Sequence, residues 1–265
     1  MSTALWGRYA ELRPADLEAL RAASPVAYLP WGGLVWHGPH LPLGSDTIVA
    51  EAVAERCARR TGGVVLPATC WPLADTHDGS LGLRAATLQA LLADALAAVA
   101  RGGWRVAVVV SGQSNPADDL LMIAAAREAI AGHGLLALAL PPLSLVDDEM
   151  LDQAALWESS VLLALRPDLA DLQALGDGPL SPAESGIVGR DPRHTASPSL
   201  GHTALGLAVE RIVTAVDDLL ARGDPAPLHA LYAQRSERYQ AFTARYGDDV
   251  ERAAAAWWAD MLRAQ

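Results

Sequence analysis

His37, His40 and Asp46 stand close together in a stretch rich in glycine and proline, Trp31-Gly32-Gly33-Leu34-Val35-Trp36-His37-Gly38-Pro39-His40-Leu41-Pro42-Leu43-Gly44-Ser45-Asp46. Imidazole and carboxylate are the donors that zinc, iron(II) and manganese take from proteins. A third residue with chemical promise is Glu158, placed inside an otherwise apolar helical segment, where a buried carboxylate must be paired or liganded. Ser114, in Ser111-Gly112-Gln113-Ser114-Asn115-Pro116, superficially resembles a nucleophile elbow. The closing glycine is absent, however, and no Asp-then-His order fits downstream. Cys70 and His77 add two more ligand types in the segment 68–82. A structural role competes with each assignment: His37 can bond backbone, and Asp46 can cap the helix that follows it.

These residues need elements to position them. The apolar run Val26 to Pro30 reads as a strand, the loop follows it, and Thr47 to Arg60 reads as a helix with Ile48, Val49, Ala52 and Val53 on one stripe. A helix is also expected at Pro14 to Ala23. Further strands are expected at Val64–Pro67, Trp104–Val110 and Leu135–Leu140, with helices at about Thr87–Ala100 and Ala117–Ala131 between them. This alternation predicts an α/β fold: a single-domain three-layer α/β/α arrangement with a mostly parallel sheet. His37 and Asp46 then lie beyond the end of a parallel strand, where open α/β sheets place their sites. Later in the chain, Leu151–Leu165, Gly201–Ala221 and roughly Leu228–Leu262 read as helical. The stretch Gly176 to Leu200 reads as a long loop, a type often functional in compact domains. No internal repeat or linker divides the chain, so one domain over 1–265 is expected.

Composition excludes several classes of function. Of the 265 residues 51% are hydrophobic, enough for a substantial core. The net charge of -11 argues against a nucleic-acid surface, which needs a basic stripe. Every cation is arginine, so a Schiff-base lysine and a phosphate-loop lysine are both ruled out. No uninterrupted apolar stretch is long enough to span a membrane. The first residues lack the basic-then-apolar order of a secretory signal, and the two cysteines, Cys57 and Cys70, make no disulfide framework. A cytoplasmic protein with reduced thiols is expected.

The segment around His37 resembles the signature of the creatininase (creatinine amidohydrolase) family, P-V-G-S-x-E-Q-H-G-P-H-L-P-L-G-T-D. From His37 to Asp46 the match is almost unbroken, with Ser45 for the family's Thr; before it, the family's metal-binding Glu falls on Val35 and its Gln on Trp36. Val109 to Asn115 resembles the strand running into N-G-H-G-G-N, with Gln113 in place of the metal-binding His. Gln153 to Ser160 resembles H-A-G-x-x-E-T-S, with Gln153 for its His and Glu158 kept. Gly186 to Pro192 is similar to the G-x-x-G-D-P loop. The likeness covers roughly residues 26 to 220.

What the resemblance implies is a divergent amidohydrolase. Familiar members hold two divalent metals bridged by an Asp and activate a water against a C–N bond. Carried over, His37, Asp46 and Glu158 would hold one metal (zinc, iron or manganese), while Val35 and Gln113 would deprive the second of ligands; no metal at all is the other option. His37, Glu158, Gln113 and Gln153 occupy the positions of catalysis, although Gln153 cannot shuttle a proton. Trp36, Trp71, His77, Trp157 and Ser114 are candidates for the wall of a substrate pocket. The expected substrate is a small amide, lactam or peptide-like molecule, with neither nucleic acid nor membrane as partner. The family habit and an apolar C-terminal cluster, Trp257, Trp258, Met261 and Leu262, point to a homo-oligomer. A non-catalytic binding or scaffold protein, or a metal-independent enzyme of cyclisation or elimination in a biosynthetic pathway, stands as the alternative.

Overall fold

A computed structural model describes residues 5–73 and 80–263. Its strands are β1 (Trp6–Arg8), β2 (Val26–Trp31), β3 (Gly63–Val65), β4 (Val106–Ser111) and β5 (Leu136–Leu140). All pair in parallel, in the order β1-β3-β2-β4-β5. The central pair runs in register from Val26 beside Val106 to Trp31 beside Ser111. Every residue of β2, β4 and β5 is buried, which is why these strands read as unbroken apolar runs without alternation.

The helices are α1 (Pro14–Ala23), α2 (Ser45–Thr61), α3 (Ala85–Arg101), α4 (Pro116–His133), α5 (Leu156–Leu165), the single turn α6 (Pro182–Ser185), α7 (Pro198–Arg222), α8 (Ala226–Arg238), α9 (Gln240–Tyr246) and α10 (Val250–Arg263). Right-handed crossovers send α2 to one face of the sheet and α1, α3 and α4 to the other. On the first face α2, α5 and α7 pack against one another, with α2 lying on β2 and β4; on the second α3 packs on α4, and α10 lies against α4. The three-layer α/β/α expectation is thereby borne out.

Three local differences from the sequence reading have physical causes. β1 went unread because three residues at a sheet edge, two part-buried and Arg8 exposed, carry no periodicity. The helix expected from Leu151 begins at Leu156. The residues before it are otherwise engaged: Gln153 pairs with Val188 in an antiparallel bridge, and Ala154 takes a left-handed φ of 50°. The long C-terminal helix is three helices, broken at Tyr239 and at Gly247, whose φ is 91°.

A candidate one-metal centre

The strand order switches direction between the parallel neighbours β2 and β4: β2 connects through α2 to β3 on one side, and β4 connects through α4 to β5 on the other. The loops leaving the two strands therefore part and open a crevice, the usual location of sites in open α/β sheets. One loop delivers His37 and, in the first turn of α2, Asp46. The other delivers Gln113 and Ser114. The two loops touch at Gly112, where a Cβ would lie 2.0 Å from the carbonyl oxygen of Asp46. Any larger residue there would push the start of α2 off the sheet.

His37 and Asp46 are buried and Glu158 nearly so. His37 Nε2 stands 2.9 Å from Asp46 Oδ1 and 3.6 Å from Glu158 Oε2. The ring's Nδ1 donates to the Val35 carbonyl at 2.9 Å, which leaves the lone pair on Nε2. That lone pair faces two carboxylate oxygens, and Nε2 makes no hydrogen bond. Acceptors so arranged repel one another unless a cation stands among them. Burial by itself would lower the His37 pKa, but the Asp46 and Glu158 carboxylates outweigh it and raise it to about 10. Burial, partly offset by His37 and reinforced by Asp46 and Asp152, pushes the Glu158 carboxyl up. A proton on His37 and a divalent ion are thus competing answers to the same charge imbalance. One imidazole and two carboxylates, with donor atoms all within 4.8 Å of one another, fit a divalent cation; they are the one such cluster among the described residues.

Glu158 reaches this cluster because the start of α5 is held from several sides. The Asp152 carboxylate caps the helix, accepting from the amides of Trp157 at 2.7 Å and Glu158 at 3.1 Å. Glu158 Oε2 accepts from the Ala154 amide at 2.7 Å, and the Ala154 carbonyl accepts from His40 Nε2 at 2.9 Å. His40 is thus a tether between the signature loop and α5, and lies outside the ligand cluster. Helix α7 presses α5 inward at Gly201, where a Cβ would come 1.9 Å from the Ser160 carbonyl oxygen. Asp152 escaped the sequence reading. An acidic residue just ahead of a helix start was the available signal, masked by extending that helix back to Leu151.

On the other side of Asp46 the chemistry changes. Val35 is buried and offers only its backbone, which orients His37. Gln113, also buried, faces Asp118: in the amide orientation that satisfies both groups, its nitrogen donates to Asp118 Oδ2 at 2.9 Å and Oδ1 at 3.0 Å. Beside Asp46 remains a void of about 20 Å³, lined by Val35, Gln113, Gln153 and the α10 residues Ala254 and Trp258. That is room for one water-sized occupant; the Asp118 carboxylate also borders the void, but it is bonded to Gln113 and Asn115 and belongs to no ligand cluster among the described residues.

Ser114 Oγ donates to the Asp152 carbonyl at 2.8 Å and lies 3.3 Å from Glu158 Oε1. No histidine bonds it among the described residues, so it has no general base of the serine-hydrolase kind. Ser114, Asp152 and Gln153 line an open cavity of about 410 Å³ that none of His37, Asp46 and Glu158 borders. Of the expected wall residues within the described chain, only Ser114 borders it. Trp36 is half-buried with its ring near Gly186, Trp157 packs on the core and Trp71 is 44% exposed. His77 lies outside the described residues. Cys70 stands apart from the ligand cluster.

The family model described as creatinine amidohydrolase matches residues 10–216. The chain belongs to the creatininase family. A creatinine amidohydrolase from Pseudomonas putida is 27% identical over 78% of this chain and 94% of its own length. A mycofactocin precursor peptide peptidase from Mycolicibacterium smegmatis is 29% identical, over 56% of this chain and 61% of that protein. The crystal structure of creatinine amidohydrolase superposes with a TM-score of 0.70 at 25% identity, covering 82% of this chain and 98% of that one. Against the two-metal pattern, this creatininase-family chain brings one set of metal ligands together and has lost the other. The family match ends before α8, so α8, α9 and α10 are additional to it.

Proposed function

We propose that the chain hydrolyses a C–N bond in a small amide, lactam or peptide-like substrate, using one divalent ion held by His37, Asp46 and Glu158. The observation that carries this reading is the buried His37 Nε2 facing two carboxylate oxygens, an arrangement that a cation completes. A divalent ion there supplies a water of lowered pKa and polarises a carbonyl. The protein's share is positioning. Val35 fixes the His37 tautomer through its carbonyl, Asp152 and Ala154 hold the Glu158 backbone and carboxylate, and Ser114 offers a hydroxyl next to Glu158 Oε1. Gln153 borders both the void beside Asp46 and the larger cavity, where its amide can donate to a substrate carbonyl. Neither Gln113 nor Gln153 ionises, so proton transfer falls to carboxylate oxygens and water.

The test is metal content of protein purified without added metal or chelator, followed by assay of ring opening of creatinine and small lactams, and of ammonia or amine release from acyclic amides and short peptides. One ion per chain, and hydrolysis that chelator abolishes, are the expected results. A chain that takes up no zinc, manganese or iron(II) on titration would overturn the reading. The non-catalytic alternative draws on the Gln113–Asp118 bond and on the closure of the void by Trp258. Among the described residues no helix is long and apolar enough to cross a membrane. We also read the chain as a cytoplasmic homo-oligomer. Unpaired Cys57 and Cys70 support the first, and exposed Leu43, Trp71 and Leu81 the second. Light scattering that gives a monomer at micromolar concentration would refute the assembly.

A further inference from the structure

The helices α8 to α10, beyond the family match, are fastened to the domain at buried points. Tyr232 of α8 uses its hydroxyl twice on the outer strand β5, donating to the Ala137 carbonyl at 2.6 Å and accepting from the Ala139 amide at 2.8 Å. Arg235 is buried against Asp119 of α4, its Nε 2.8 Å from Asp119 Oδ2, and Tyr239 closes the group at 3.0 Å. An uncompensated Asp119 would be costly, so this pair keeps α8 in place. From that anchor α9 and α10 pass back over the strand ends.

There they form the far wall of the 410 Å³ cavity, with Tyr239, Phe242, Tyr246 and Trp257. The near wall is Gln153 with Ser114 and Asp152, the latter two bonded to Glu158. Ligand pockets commonly enclose about 300–1,000 Å³. The two arginines at the rim already have partners: Arg245 pairs with Asp260 at 2.7 Å and Arg238 with Asp148. Arg245 also lies over one face of the Tyr246 ring at 5.2 Å, and Tyr239 and Phe242 are buried. The other face of Tyr246 and the Trp257 ring, and not unpaired cations, are therefore what this wall offers a ligand.

We propose that this cavity is the substrate-binding site and that its C-terminal wall selects amides carrying a flat apolar group, which lies against Tyr246 and Trp257 while the amide points past Ser114 towards Glu158. The inference rests on His37, Asp46 and Glu158 being the reacting centre, but its test reads binding and needs no turnover. The probes are phenylacetamide, acetamide and the anionic amide succinamate, titrated against the full chain by tryptophan fluorescence and saturation-transfer NMR. Phenylacetamide should bind at least about tenfold more tightly than acetamide, or about 1.4 kcal/mol. Tyr246→Leu and Trp257→Leu should each weaken it about fivefold with the metal content unchanged. His37→Ala should lose metal yet keep phenylacetamide, which separates a failed metal centre from a failed pocket. If Trp257→Leu does not fold, saturation transfer from the aromatic protons of the unmutated protein to the probe's ring replaces it. Equal affinity for phenylacetamide and acetamide, tighter binding of succinamate, or indifference to both substitutions would overturn the proposal.

Discussion

The two sides of Asp46 were equivalent in kind in the two-metal pattern and differ here in how their charge is balanced. Towards Glu158, an imidazole lone pair and two carboxylates converge with no proton donor among them, a surplus that only a proton or a metal relieves. Towards Gln113, the polar groups have settled their accounts with each other: the amide donates to Asp118, Val35 contributes no charge, and Trp258 fills the approach. Loss of one metal's ligands need not disturb the other's, because the two sets hang on different supports. His37 depends on the Val35 backbone, which any side chain supplies, and Glu158 depends on α5.

The largest test of this asymmetry is removal of the charged side. His37→Ala, Asp46→Ala and Glu158→Ala should each take the bound ion from about one per chain to almost none. At a hundredfold excess of metal over Kd they should also forfeit about 2.7 kcal/mol of stability. Chelation should reproduce the loss in the unmutated protein and add little in any variant. Retention of metal by Glu158→Ala would break the comparison at its root.

Next in size is reconstruction of the neutral side. Val35→Glu with Gln113→His restores both ligand types, but a void of about 20 Å³ leaves little room for the longer Glu side chain. A second ion should therefore enter only when Trp258 is also shortened to Leu. Uptake by the double variant alone would mean that ligand chemistry, and not closure by α10, is the sole obstacle.

A smaller effect concerns acid. Burial, assisted by the nearby His37 and opposed by the bond to the Ala154 carbonyl, depresses the His40 pKa from 6.5 to about 4. Between those values the unfolded chain binds a proton that the folded chain refuses, so stability rises with pH. The neutral ring's contribution is complete above pH 6.5 and drains away as pH falls towards 4. His40→Gln should have a flatter dependence of Tm on pH over this window; an unchanged slope would show that His40 is not the titrating group. The metal site should respond least to Gln113→Ala: its ion content stays the same, although the partner stripped from Asp118 should cost about 1–3 kcal/mol of stability.

Much of this was legible in the chain. The buried strands announce themselves because parallel strands covered on both faces need no polar residues, and His37 and Asp46 flank one loop at a strand end. Their proximity is local, settled by the turn and the start of α2. Glu158 is another matter. Its carboxylate meets His37 only through the order of the sheet, the His40 tether, the left-handed Ala154 and the close approach at Gly201, none of which has a signature in a single apolar helix. The same limit hid the aromatic wall. The residues Tyr239, Phe242, Tyr246 and Trp257 make amphipathic helices, and amphipathicity states that a face is buried without stating against what. Sequence by itself determined which groups are able to bind a cation and which are not, since that is a property of donor atoms. Tertiary structure decided which of them share a centre and what closes over it, since contacts between distant segments depend on layer packing that no local pattern encodes.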